Sequence, residues 1–250
     1  GINHSAFICA GGIQATASPE YCMRKYQNID VFLQGDSEFT LLDIANLPVL
    51  NQESIARIKG TAVRDNARSA KRERIQLSKL NQYDYSIFEK QVFLRPYNGK
   101  VIRAADYEFS RGCIFTCAYC VETTIQAYLG YTEHNKIGVL QDFRKYITVK
   151  SIKNSIKELE YFKSIKIDML RCQDTNFLTI PRDFLVEIAR EISERELYVP
   201  LYIETRPETI SPASILLLKS LNVIGVGMGV ETAAEDYREG SLNRFSSLKK

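Results

Sequence analysis

The chain has 250 residues, enough for one large or two small domains, and its 25% charged and 45% apolar residues are ordinary for a globular protein. Net charge is +3 with no long block of one sign, so the interrupted basic run Arg64 to Arg74 reads as a solvated linker and no nucleic-acid partner is expected. No apolar run reaches the roughly 20 residues of a membrane helix, no signal-peptide pattern opens the chain, and the few cysteines fit a reducing cytoplasm rather than a disulfide framework.

The chain begins at Gly1 in what reads as the middle of a fold, and a piece of a longer protein is expected. Ala6 to Ala10 is a continuous apolar run, as in a buried parallel strand. Gly11-Gly12 follow, then a helix over Ala15 to Tyr26. Ile29 to Leu33 is a second strand, ending in Gln34-Gly35-Asp36-Ser37-Glu38 before a helix from Phe39 to Ala45. Strand, glycine turn, helix, strand, loop, helix is a doubly wound α/β pattern. Glycines at strand ends admit a ligand close to the backbone, although Gly11, Gly12 and Gly35 alone imply no more than tight turns. Residues 49–104 read as a linker. Ile58 to Val63 followed by Arg64-Asp65-Asn66 suggests a small hairpin, and Asn98-Gly99 is a turn signal.

From Asp106 the pattern becomes strand, loop, helix, repeated. Strand one is Tyr107 to Ser110. A helical face follows at Ile156, Leu159, Phe162 and Ile165, within Asn154 to Ile165. Strand two, Ile167 to Leu170, ends at Arg171-Cys172-Gln173-Asp174. Pro181 opens a helix with Phe184, Leu185, Ile188, Ala189 and Ile192 on one face. Strand three, Leu197 to Ile203, ends at Glu204-Thr205-Arg206-Pro207. Ser211-Pro212 caps another helix through Leu221. Strand four, Val223 to Val230, ends at Glu231-Thr232. Four such units are expected to lie parallel by right-handed crossovers. Cys113, Asp174, Glu204, Arg206 and Glu231 all follow strands, and in α/β barrels the carboxyl ends of the strands face the active site.

Cys113, Cys117 and Cys120 stand at i, i+4 and i+7 after Ser110-Arg111-Gly112. One loop can turn three thiolates toward one point. A structural zinc site wants four closed ligands and an electron-transfer cluster usually takes four cysteines. Three protein ligands leave a position open for chemistry. Buried structural thiols are the plain alternative, but Gly112 and the aromatics Phe115 and Tyr119 argue for a shaped loop. Cys9, Cys22 and Cys172 lack the spacing and read as packed thiols.

This CxxxCxxC, with an aromatic before its last cysteine and Ser-Arg-Gly ahead of it, resembles the signature of the radical SAM superfamily. The resemblance implies that Cys113, Cys117 and Cys120 hold a [4Fe-4S] cluster whose remaining iron binds S-adenosylmethionine (SAM). Tyr119 would lie near the adenine. Gln173-Asp174-Thr175-Asn176-Phe177 resembles the family's strand-two end, which places Asp174 by the SAM amino group or ribose. Glu204 and Arg206 would stand near the SAM carboxylate, a task that suits a bidentate arginine. Gly227-Met228-Gly229-Val230-Glu231 resembles the strand-four end, where Gly227 admits the adenosyl group and Glu231 accepts hydrogen bonds from it.

Upstream, Gly11-Gly12-Ile13-Gln14-Ala15-Thr16 and Gly35-Asp36-Ser37-Glu38 resemble the second half of a cobalamin-binding domain, with the second motif departing at two residues. Gly11, Gly12 and Gly35 would then approach cobalamin. The cobalt-ligand histidine motif would lie before Gly1, and His4 is not assigned to it. Leu77 to Phe88 resembles the connector between the two domains. The implied organisation is α/β throughout: residues 1–48 as the C-terminal half of a partial doubly wound, Rossmann-like cobalamin-binding domain, 49–104 as linker, and 105–250 as an incomplete radical SAM partial (β/α) barrel, with later strands beyond Lys250.

The implied chemistry is reductive cleavage of SAM to a 5′-deoxyadenosyl radical, with cobalamin delivering a methyl group to an unactivated carbon of a small-molecule substrate, or a related C–C or ring-forming reaction. A flavodoxin or ferredoxin would supply the electron, and the catalytic groups beyond the cluster stay unassigned. A methylthiotransferase would need three further cysteines that Cys9 and Cys22 do not supply. A non-catalytic iron–sulfur or corrinoid-binding module predicts a fourth ligand, and a zinc site predicts zinc without iron or sulfide.

Overall fold

Val31, Phe32 and Leu33 are all buried, and their alternation organises the first of two units. The structure is a computed structural model and describes residues 6–64 and 69–245. His4, Asp65 and Asn66 lie outside the described residues. The first unit comprises residues up to Ile75 together with Cys117–His134; the second comprises Gln76–Thr116 and the chain from Asn135.

In the first unit, β1 (Cys9–Ala10) pairs in parallel with β2 (Val31–Leu33), which pairs antiparallel with β3 (Thr61–Ala62). Successive strand residues face opposite sides. Val31 and Leu33 therefore pack with Ile44, Ile55 and Val63, while Phe32 packs with Ala15, Cys22 and Ala62. The single helix expected over Ala15 to Tyr26 is two helices, α1 (Ile13–Ala17) and α2 (Pro19–Lys25). Pro19 brings no N–H and disfavours helical backbone at Ser18, so the helix must restart. Two further helices follow, α3 (Glu38–Ala45) and α4 (Gln52–Ala56). Asn51 caps α4: its Oδ1 accepts from Ser54 N at 2.8 Å, and Ser54 Oγ accepts from Asn51 N at 3.3 Å. After β3 the chain returns, with Ser69 N donating to Thr61 O and Gly60 N to Ala70 O. Helix α5 (Val121–Leu129) ends on Gly130, whose φ of 90° suits a glycine at a helix C-terminus.

The second unit is built on a five-stranded sheet. A hairpin of β4 (Leu94–Tyr97) and β5 (Lys100–Tyr107) turns at Asn98 and Gly99, both left-handed at φ 48° and 72°. That is the turn an Asn-Gly pair selects. Residues 94–104 were expected in a linker and are instead strands. Pro96 masks the first of them in the sequence, and it is tolerated because β4 is an edge strand. A short pair follows, β6 (Ser110–Arg111) antiparallel to β7 (Thr148–Val149). Then come β8 (Met169–Cys172), β9 (Leu201–Thr205) and β10 (Val223–Met228). The sheet order is β10-β9-β8-β5-β4, with β5, β8, β9 and β10 parallel.

The helices of this unit are α6 (Phe143–Tyr146), α7 (Ile152–Ser164), α8 (Arg182–Glu194), α9 (Pro212–Ser220) and α10 (Glu235–Gly240). On α8, Leu185, Ile188, Ala189 and Ile192 are buried against the core, the face that their spacing sets. Each fully buried Leu or Ile there contributes about 1.5–3 kcal/mol. Ser211 caps α9 with a reciprocal pair to Ser214. Strand one was expected as a continuous Tyr107 to Ser110, yet β5 stops at Tyr107 and β6 begins at Ser110. The amides of Phe109 and Ser110 leave the ladder because Asp174 takes them.

Candidate functional site

In the second unit, the carboxyl ends of β8, β9 and β10 carry a connected set of polar side chains. Asp174, 2% exposed, accepts from Phe109 N at 3.1 Å, from Ser110 N at 2.6 Å and from Ser110 Oγ at 2.6 Å. Burial pushes its carboxyl up to about 6 in spite of these donors. Asn176 and Thr205 meet at 2.7 Å, and Thr205 meets Thr209 at 2.8 Å.

Glu204 lies within β9, not beyond it, and is exposed. Arg206 follows β9; its guanidinium lies 3.8 Å from the centre of the Phe115 ring and pairs with Glu208 at 3.2 Å. Glu208 also pairs with the buried Arg244 at 3.1 Å. Arg244 reaches Glu231 at 3.1 Å and donates to the Gly229 carbonyl. Two arginines and two carboxylates thus balance charge across the ends of β9 and β10.

Gly227 pairs in register with Glu204. A Cβ on Gly227 would stand 2.7 Å from the Tyr202 hydroxyl, and one on Gly225 would stand 2.6 Å from the Tyr202 ring. These glycines make room for Tyr202. Gly229 makes room for the Glu231 carboxylate, 2.6 Å from where its Cβ would be. Glu231 itself sits in the left-handed region at φ 64°.

The segment around the first cysteine is held from several directions. Cys113 is 8% exposed. Beyond it, Leu140 N donates to Ile114 O, Phe115 bridges Val139, and Thr116 N donates to Gly138 O. Glu108, just upstream, is bound by Arg111 and by the Tyr83 hydroxyl at 2.6 Å. Burial pushes its carboxyl up, but these donors outweigh that and hold it below its ordinary value.

The other two cysteines belong to the first unit. Cys117 is buried, and its carbonyl accepts from Cys120 N at 3.1 Å and from Thr123 Oγ1 at 2.9 Å. Cys120 is half-buried and caps the N-terminus of α5, where a helix favours negative charge. Tyr119, 50% exposed, is not packed in a core. Among the described residues no cysteine is in a disulfide, and no group of three His, Cys, Asp or Glu is placed to hold a metal ion.

Also in the first unit, Thr16 ties the two glycine turns together. Its hydroxyl donates to Gly12 O at 2.9 Å and accepts from Gly35 N at 2.8 Å. Gly12 and Gly35 have φ of 101° and 70°. The Gly11 Cβ position meets Leu33 and Ser37 at 3.4 Å.

Glu208, Asn243 and Arg244 were not singled out by the sequence, and Ser110 and Phe115 only as parts of the cysteine motif, without their partners. Glu208 alone carried a signal, two residues beyond Arg206; the others owe their place to contacts made across the fold.

The sequence profile of the Radical SAM superfamily matches residues 107–244, more than half of the chain, so the chain belongs to that superfamily. A Pyrococcus horikoshii protein named as an uncharacterized methyltransferase is 21% identical over 239 residues, 93% of this chain and 47% of the relative. Two structures of the radical S-adenosylmethionine methyltransferase TsrM from Kitasatospora setae share the fold. One, with cobalamin and a [4Fe-4S] cluster bound, matches at a TM-score of 0.63 and 17% identity, over 94% of this chain and 44% of that one. The other, with tryptophan substrate and a SAM analogue bound, matches at 0.65 and 15%, over 94% and 43%. The chain spans less than half the length of each of these relatives.

Proposed function

We propose that this chain is the cluster- and SAM-binding part of a cobalamin-dependent radical SAM methyltransferase. The observation that carries the reading is the three-cysteine loop, set between the first and second parallel strands inside the segment that matches the superfamily. The donor set fits a [4Fe-4S] cluster: Cys113, Cys117 and Cys120 would hold it. Cys172 is a poor competitor, since burial pushes its thiol well up, and burial also raises Cys9. When bound, the cluster supplies an electron for cleaving SAM and cobalamin supplies a methyl carrier.

Tyr119, Asp174, Glu204, Arg206, Gly227 and Glu231 are proposed around SAM. Arg206 is pre-aligned by Phe115 and Glu208, so it can meet a carboxylate with little loss of side-chain freedom. Gly11, Gly12 and Gly35 are proposed for cobalamin, supported by a fold likeness to TsrM that runs over 94% of this chain. The substrate would be a small molecule, and the electron donor a flavodoxin or ferredoxin. No described helix is long and apolar enough to cross a membrane.

Anaerobic reconstitution with iron and sulfide tests the reading. Expected are a reduced-cluster electron paramagnetic resonance (EPR) spectrum that changes on adding SAM, release of methionine with dithionite, and a corrinoid absorbance that survives gel filtration. Zinc in place of iron, or an EPR spectrum indifferent to SAM, would sink it.

A further inference from the structure

The cysteine loop is fastened by a residue 127 positions away in sequence. Asn243 Nδ2 donates to Thr116 O at 2.7 Å and to Thr116 Oγ1 at 2.9 Å. A backbone carbonyl can only accept, so the amide nitrogen must face it and the orientation of the Asn243 side chain is fixed. Both protons of that nitrogen are used. The Thr116 hydroxyl passes its own proton to Gly138 O at 3.1 Å, which also accepts Thr116 N at 3.0 Å.

The junction is tight. A Cβ on Gly138 would come within 3.2 Å of Asn243 O, 3.3 Å of Thr116 Oγ1 and 3.4 Å of Asn243 Nδ2. Gly138 lies at φ 65°, where a side chain would be strained, and a Cβ there would also be crowded. Asn243 is itself left-handed at φ 48°, a conformation asparagine tolerates. Its flank is anchored: Arg244 N donates to Arg238 O at 3.0 Å, and the Arg244 side chain pairs with Glu208 and Glu231.

We infer that Asn243 is a positioning residue for the cluster loop: it fixes the plane of the peptide that leads from Thr116 into Cys117. This rests on the proposed cluster. The peptide is planar, so a carbonyl held on one side sets the direction of the Cys117 N–H and the place of its Cα. Groups hydrogen-bonded to a metal ligand change metal affinity by about 10–100-fold when they are lost; Asn243 acts through the backbone of the residue before the ligand, so the low end of that range is expected. Arg244 ties the same fastening to the ends of β9 and β10.

Asn243→Asp tests it. The substitution keeps the size of the side chain and sets an acceptor against the Thr116 carbonyl. Asn243→Ala removes the contact without repulsion. Both are compared with the parent in three measurements: far-ultraviolet circular dichroism of the cluster-free protein, hydrogen exchange of the cluster-free segment 113–117, and loss of iron from the reconstituted protein to a chelator, with EPR of the reduced cluster.

Parent-like circular dichroism, faster exchange at Thr116, iron loss about tenfold faster and an altered EPR spectrum support the assignment. Parent-like exchange, iron retention and EPR in Asn243→Asp overturn it, as would loss of the far-ultraviolet signal in both variants, which would make Asn243 a general folding residue. If the parent takes up no cluster, the functional reading fails first; parent cluster with unchanged variants sinks only the positioning role.

Discussion

The two units finish their strands by different means. In the unit of the short three-stranded sheet, β1 and β2 end in Gly11-Gly12 and Gly35, and one hydroxyl, that of Thr16, ties the turns through backbone groups. In the five-stranded unit, β8, β9 and β10 end in Asp174, Arg206, Glu208 and Glu231; Arg244 and charge tie the last three, while Asp174 holds the backbone of Phe109 and Ser110. The first arrangement offers a ligand bare backbone. The second offers charge, already balanced and oriented. A glycine turn has many uses, so its chemistry is legible only beside other motifs; a charged residue after every strand points to a shared site by itself.

The largest effect is expected at the three cysteines. Cys113→Ala, Cys117→Ala and Cys120→Ala should each reduce reconstituted iron and sulfide to background and abolish SAM cleavage. Cys9→Ala, Cys22→Ala and Cys172→Ala should retain both. Iron analysis with EPR reads the difference. Equal iron in the two sets would remove the assignment of the loop.

Next comes a charge inside the five-stranded unit. Lys150 Nζ meets Glu158 at 2.6 Å with side chains 4% and 1% exposed, and it lies 3.7 Å from the centre of the Tyr83 ring. Burial pulls the Lys150 ammonium down, and Glu158 opposes that. Lys150→Met leaves Glu158 buried without its cation, which should cost about 3–5 kcal/mol in urea denaturation. Lys150→Met with Glu158→Gln should recover part of the loss. A single variant as stable as the parent would mean that water already reaches the pair.

Asp174 allows a finer measurement. Its folded carboxyl, near 6, lies above the ordinary 3.8. Folding therefore takes up a proton between those values. The stability this group contributes is full at lower pH and is lost as pH rises through about 6. Asp174→Asn removes that dependence while leaving an acceptor for Ser110. Parent minus variant stability should fall by about 3 kcal/mol as pH rises from acid to neutral. A flat difference would mean that the Phe109 and Ser110 donors cancel the cost of burial.

These effects also mark what the sequence could carry. The four parallel strands and the α8 face follow from periodicity and turn residues; strands two to four overlap their expected spans, while strand one, expected over Tyr107 to Ser110, runs instead from Lys100 to Tyr107. Partners do not follow. The sequence marks Asp174 and Gly227 as ligand positions; that Asp174 also holds the backbone of Phe109 and Ser110, and that Tyr202 stands beside Gly227, is written only in the fold. A residue type states what a side chain can bond, but only the fold decides what stands opposite. The split between α1 and α2 is written in the sequence at Pro19, which cannot continue a helix from Ser18. The β4 strand was hidden because Pro96 argues against a strand until the edge position is known.

The smallest effect sharpens the glycine side of the comparison. Gly35, at φ 70°, would gain both left-handed strain and a Cβ 3.3 Å from the Tyr128 ring. Gly12, at φ 101°, would gain strain alone, since nothing lies within 4 Å of its Cβ position. Gly11 meets only ordinary contacts at 3.4 Å and more. Alanine at Gly35 or Gly12 should therefore cost about 1–2 kcal/mol. Alanine at Gly11 should cost well under that, as read by thermal melts of the ligand-free protein. Gly11→Ala thus separates packing from binding. If the strand end receives cobalamin along its backbone, the variant should keep the parent melt and lose corrinoid absorbance after gel filtration. If it keeps both, the turn at Gly11 serves the chain alone, and the backbone-presenting unit has no ligand at that position.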